Sequence, residues 1–168
     1  MELFEHWKEV KILFRESFWS SFHYSIATVN KDGEPHVTPI GSLILGKPGH
    51  GLYFEEFPQN MPHNFDANNH VCVMAVNSSR WFWIKSLIRG RFSSPPAVRL
   101  YGRVGKTRNA TKPEIQFWQR RVKRLRFSKG HALMWANMKI VRDIEFDRIE
   151  PVNMGEMTQH SWQQLKHV

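Results

Sequence analysis

The sequence predicts a mainly β (α+β) fold: six antiparallel strands in a small barrel, with helices at its periphery. Three observations carry this. Strand-like runs rich in β-branched and aromatic residues recur along the chain, and hairpin turns join most of them, which makes neighbours antiparallel. Helical spacing is confined to the start of the chain, a short polar stretch and one long basic segment. The 168 residues, 41% of them hydrophobic, suit one domain, residues 1–168, with a single core.

Leu3, Trp7, Val10 and Phe14 fall on one face of a helix over Glu2 to Ser17. Phe22 to Asn30 is a strand by composition, and Lys31-Asp-Gly-Glu34 is a hairpin turn. Pro35 to about Gly46 reads as one long second strand, with Pro39 marking an edge or a bulge. After the turn Gly46–Gly49, His50 to Phe57 is the third strand. A short helix over Pro62–Asn68 follows, then a buried strand, Val71–Val76. Residues 79–96 form an aromatic and basic insert whose Trp81–Ile88 run has the makings of a short helix. Ala97 to Thr107 is the fifth strand. Thr111 to Phe127 is a helix with a capping box, Thr111 and Glu114, and an apolar stripe of Ile115, Trp118, Val122 and Leu125. Lys139–Ile149 is the last strand, and residues 155–168 read as a tail.

The formal charge of +9 favours anionic partners: phosphorylated cofactors, nucleic acid or acidic membrane surfaces. A single cysteine, Cys72, excludes an internal disulfide and points to a reducing compartment. No apolar run approaches a membrane span, and the N-terminus lacks a signal-peptide layout, so a cytoplasmic location is expected. No His-Glu-x-x-His motif or Cys/His cluster suggests a metal. Nothing resembles a Ser/His/Asp or Cys/His nucleophilic set, and no general acid or base stands out.

The string Ala27-Thr-Val-Asn-Lys-Asp-Gly-Glu-Pro-His-Val-Thr-Pro-Ile-Gly41 resembles the first hairpin of the pyridoxamine 5′-phosphate oxidase-like FMN-binding split β-barrels. Leu52–Phe57, Asn64-Phe65, Asn68-Asn69 and Val71–Met74 resemble that family's third strand, phosphate-side turn and fourth strand; Val98–Gly102 resembles its next long strand. The resemblance implies a six-stranded split barrel, a homodimer and FMN at the subunit interface, with a deazaflavin or haem as alternatives.

By the same resemblance, the second strand runs beside the flavin ring, which selects His36, Thr38, Pro39 and Ile40. Glu55 and Phe57 lie at the end of the third strand, near the ring or ribityl chain. The slot that often carries a phosphate-binding cation holds Met61, so His63 beside Asn64, or Arg89 and Arg91 from the insert, are the substitutes. Trp135 is a candidate to meet the partner's flavin. The chain lacks the C-terminal substrate-binding stretch of the true oxidase, so that enzyme's substrate is not carried over.

The implied activity is an FMN-dependent oxidoreductase acting on an unnamed small molecule or electron donor. The alternative is a binding module that holds a flavin, deazaflavin or haem without turnover. Residues 107–129 are rich in Arg and Lys, but these lie off the apolar stripe, as on a solvated helix face. That argues against a nucleic-acid role.

Overall fold

A computed structural model of the chain describes residues 3–57 and 60–161. The last seven residues of the expected tail lie outside that range, as does the side chain of Leu125. Helix α1 (Trp7–Ser21) starts and ends later than expected; it buries Trp7, Val10 and Phe14 of the expected face and adds Phe18, while Leu3 is buried in a turn before it. It stops where Phe22 takes a left-handed conformation, φ 62°. Phe22 is thus a helix terminator and not the first residue of a strand. Its ring packs edge-on against Phe18 and Trp19.

Strands β1 (Tyr24–Val29) and β2 (Pro35–Ile40) form the expected hairpin. Asn30 Oδ1 accepts from the N–H groups of Asp32 and Glu34, each at 2.9 Å, and Gly33 takes φ 83° to complete the turn. The rest of the expected long strand needs correction. It breaks at Gly41–Leu43, and the remainder is a two-residue strand, β3 (Ile44–Leu45), paired with β4 (His50–Phe54). With β5 (His70–Val76), β6 (Ala97–Asn109) and β7 (Ile140–Pro151), the sheet has seven strands and not six. Their order is β2-β1-β5-β6-β7-β4-β3, antiparallel throughout.

Strand pairing does not close this sheet into a barrel, since β2 and β3 are its two edges. Yet three residues join those edges. Ile40 and Ile44 are four Cα steps apart, at most about 15 Å, whereas seven strands laid flat would separate the edges by about 29 Å. The sheet is therefore rolled, and Gly41–Leu43 carries the chain across the opening. Two features enforce the break. A side chain at Gly41 would begin 3.0 Å from Phe22 O. Ser42 Oγ donates to Phe54 O (3.0 Å) and accepts from Phe54 N–H (3.1 Å), replacing strand pairing with a side-chain bridge.

The roll encloses the main core. Ile26, Tyr53, Val73, Leu100 and Ile144 meet there, and α1 closes it with Val10 and Phe14. Burying each large side chain contributes about 1.5–3 kcal/mol. Helix α2 (Asn60–Ala67) adds Met61 and Phe65. A second, smaller cluster lies on the other face. There Phe54 and Val141 pack against Trp118 and Val122 of α4 (Lys112–Val122). The capping box of α4 forms as expected, but the helix ends at Val122, runs through a 3-10 turn, and restarts as α5 (Lys129–Met134). The insert contains helix α3 (Arg80–Arg89), ended by Gly90 at φ 64°.

Candidate functional site

β2 is an edge strand, as Pro39 suggested. Asn30 N–H donates to Glu34 O (3.0 Å). Counting alternately from that pair, Pro35 and Pro39 fall where an N–H would point away from β1, so neither proline costs a ladder bond. The same alternation divides the hairpin's candidate residues. His36, Thr38 and Ile40 share the face of Thr28, Ile26 and Tyr24, their register partners, and Pro39 lies on the opposite face. Thr38 Oγ1 lies 3.4 Å from His36 Nδ1.

The end of β2, the Gly41–Leu43 crossing and the segment after α5 enclose a cleft of about 210 Å³. Thr38, Pro39, Ile40, Phe57 and Trp135 of the sequence candidates line it, joined by Ser42, Phe54, Met134 and Met138. Trp135 stands edge-on to Trp118 (centroids 6.2 Å, 87°), which itself packs on Phe54. Gln119 Nε2 donates to Trp135 O at 3.0 Å and fixes that segment to α4. Beside Phe57, Glu56 accepts backbone N–H bonds from Lys139 and, at 2.7 Å, from Ile140. The walls are thus aromatic and thioether surface with two hydroxyls, the lining of a site for a flat apolar ligand. Two buried nitrogens behind Trp135, Trp118 Nε1 and His131 Nε2, have no hydrogen-bond partner among the described residues.

Other candidates lie elsewhere. His63 and Asn64 line a separate cleft of about 430 Å³ beside the Asn30–Asp32 turn. His63 is exposed there. Asn64 is buried and its Nδ2 donates to Thr28 Oγ1 at 2.8 Å, tying α2 to β1. Met61 is 1% exposed and belongs to the main core. Arg89 and Arg91 line neither cleft.

Glu55 points into the roll. Oε1 accepts from Arg142 Nε (2.6 Å) and from Tyr53 Oη; Oε2 accepts from Arg142 Nη2 (3.0 Å) and Thr107 Oγ1 (2.8 Å). Burial and the adjacent carboxylate hold the Tyr53 phenol well above its ordinary range. With both oxygens engaged, Glu55 anchors the segment that carries Phe57; the expected third strand ends at Phe54, and Glu55 to Phe57 lie beyond it. Ser42, Met134 and Met138 carry no local motif that marks them, although Ser42 directly follows the hairpin string.

A family model described as pyridoxamine 5′-phosphate oxidase matches residues 15–153. Among solved structures, HupZ of Group A Streptococcus aligns with a TM-score of 0.56 at 18% identity, over 88% of this chain and 94% of that one. An FMN-binding protein of Syntrophomonas wolfei subsp. wolfei gives 0.56 at 13% identity, over 89% and 94%. HutZ, the haem storage protein of Vibrio cholerae, gives 0.54 at 12% identity, over 90% and 95%. At these identities the likeness is one of fold. No curated protein matches the chain.

Proposed function

We propose, from the premise that this chain belongs to the pyridoxamine 5′-phosphate oxidase family, that it is a flavin-binding oxidoreductase working as a homodimer. The observation that carries the reading is the cleft between β2 and Trp135, where five residues chosen from the hairpin, the third strand and the aromatic set converge. Its walls suit a planar apolar ring. At about 210 Å³ it is smaller than the roughly 300–1,000 Å³ of ordinary ligand sites. A second copy of the chain would supply the remaining wall. No Lys, Arg or His lines the cleft, so it fits the ring of FMN and leaves the phosphate to residues outside it.

A bound flavin would supply the electron or hydride transfer itself. The chain's own part is positional. Phe54, Phe57 and Trp135 would give the ring its apolar walls, Thr38 would offer it a hydroxyl, and Met134 and Met138 would help to exclude water. Ser42 is held by Phe54 and is not free to move a proton.

That last point favours a second reading, a holder of a flavin, deazaflavin or haem without turnover. The lining offers hydroxyls and no carboxylate or imidazole. The test is titration of the purified protein with FMN, a deazaflavin and haem, followed by absorption and fluorescence, then addition of NADH or NADPH. The oxidoreductase reading expects quenched flavin fluorescence and reductant-dependent bleaching. It also expects flavin affinity about two- to thirteen-fold weaker in Trp135→Leu, the range of one aromatic contact. Binding without bleaching by any donor favours the holder. Unquenched FMN together with no deazaflavin binding sinks the flavin reading.

A further inference from the structure

Helix α3 presents an apolar stripe to solvent. Trp81, Leu87 and Ile88 are 75%, 64% and 81% exposed, and Ile84 is 45% exposed. At 100° per residue, Trp81, Ile84 and Ile88 line up along one side, with Leu87 beside them. The opposite side is fixed to the fold. Trp83 Nε1 donates to Asn77 O at 2.7 Å, Ser86 is buried, and Phe92 stacks on Phe82 (5.5 Å) and meets Trp83 edge-on (5.2 Å). The helix is therefore held firmly with its apolar stripe outward. Monomeric soluble proteins seldom show a contiguous apolar stripe of this kind without a use for it.

The charges around the stripe choose the partner. Lys85 and Arg89 flank it on one side and Arg80 on the other, and Arg91 follows the helix. No Asp or Glu occurs anywhere between Asp66 and Glu114. Two carboxylates lie near its fixed side: Glu16 shares a cavity with Arg80, and Glu156 adjoins Met157, whose carbonyl accepts from Phe92 N–H at 2.9 Å. A self-associating face would set these cations against their own copies. A Trp-bearing apolar stripe edged with Lys and Arg on a helix of ten residues has the layout of a helix lying in the plane of an anionic bilayer surface. No helix among the described residues is long and apolar enough to cross a membrane, so contact would be peripheral.

We infer that α3 docks the protein on acidic lipid surfaces, with Trp81, Ile84 and Ile88 entering the interface and Arg80, Lys85, Arg89 and Arg91 binding lipid phosphates. This inference is independent of the flavin reading. It is tested by sedimenting the full chain with phosphatidylcholine vesicles that contain or lack phosphatidylglycerol. The expected result is binding to the acidic vesicles, weakened by salt. Lys85→Gln with Arg89→Gln lowers partitioning about 25-fold, at roughly fivefold per charge near the surface. Trp81→Ser with Ile88→Ser abolishes it while far-UV circular dichroism is unchanged, because these two side chains are 75% and 81% exposed; adding Ile84→Ser, at a residue 45% exposed, makes the triple variant.

Three results overturn the inference. One is absence of binding to acidic vesicles. Another is binding that survives the triple serine variant, which marks a general charge effect of a basic protein. The last is a concentration-dependent dimer, with no vesicle binding, that the triple variant dissolves; that outcome assigns the stripe to a second copy of the chain.

Discussion

Arg142 grips Glu55 at two points, Nε at 2.6 Å from Oε1 and Nη2 at 3.0 Å from Oε2, while its Nη1 donates to Gly105 O at 3.0 Å. Both side chains are buried, 10% and 5% exposed. Removing one partner leaves the other charge stranded in the core. Arg142→Met is therefore expected to lower the unfolding free energy by about 3–5 kcal/mol. Adding Glu55→Leu to that variant should recover much of the loss. Urea denaturation of the single and double variants checks this, and a single-variant loss under about 1 kcal/mol would falsify the account.

Asn64 occupies a slot that the family resemblance assigned to the cofactor, yet its amide is spent on Thr28 inside the fold. Asn64→Ala should cost about 1–3 kcal/mol of stability, the usual range for stranding a buried polar group. Flavin affinity per folded molecule should stay within about twofold of the unaltered protein. A variant of normal stability that no longer quenches FMN would return Asn64 to the cofactor.

Glu114 ties the start of α4 to β6. It takes Arg108 of β6 through both oxygens (2.8 and 3.0 Å) and the Thr111 N–H at the start of α4 (2.7 Å). The Arg108 guanidinium, with the Thr111 bonds, pulls its carboxyl down from 4.5 to about 2. A carboxyl depressed in the folded state contributes fully above the unfolded value, about 4.5, and loses that contribution as pH falls through about 2. The gap between the unaltered protein and Glu114→Gln should thus be about 1 kcal/mol near neutral pH, the upper end for a part-exposed ion pair, because Gln keeps the capping-box bond to Thr111 N–H and loses only the charge that faces Arg108. It should close between about pH 4.5 and 2. A gap that does not change across that window refutes the assignment.

The hairpin was legible because its signals are local: Asp-Gly fixes the turn and the prolines mark the edge. The capping box was legible for the same reason. The break at Gly41–Leu43 was not, since it depends on Phe22 O and Phe54, residues distant in sequence that meet only when the sheet rolls. The cleft was half legible. Thr38, Pro39 and Ile40 came from the hairpin string, but Met134 and Met138 reach it only because α4 ends early and α5 follows. Met61 shows the limit of carrying a slot across a family. Its position was the expected one, but an apolar side chain there turns into the core.

Gly102 and Gly105 both lie in β6 opposite β7, three residues apart, and the structure separates them sharply. A register shift falls between Tyr101 and Gly102, and there the β7 backbone closes in. A Cβ on Gly102 would sit 2.1 Å from Glu145 O and 2.8 Å from Phe146 Cα. Both are backbone atoms, so no side-chain rotation relieves the clash; the two longest strands must part or the bulge must be rebuilt. At Gly105 the nearest atom to a new Cβ is Asp143 O at 3.9 Å, an ordinary contact. Gly102→Ala is expected to cost at least about 3 kcal/mol, the upper end for overpacking. Gly105→Ala should be neutral or stabilising by up to about 1 kcal/mol, because it removes freedom from the unfolded chain. Urea denaturation of the two variants side by side decides the matter. Equal stabilities would mean that β6 and β7 do not approach as described at the bulge, and the course of the sheet beyond it would have to be redrawn.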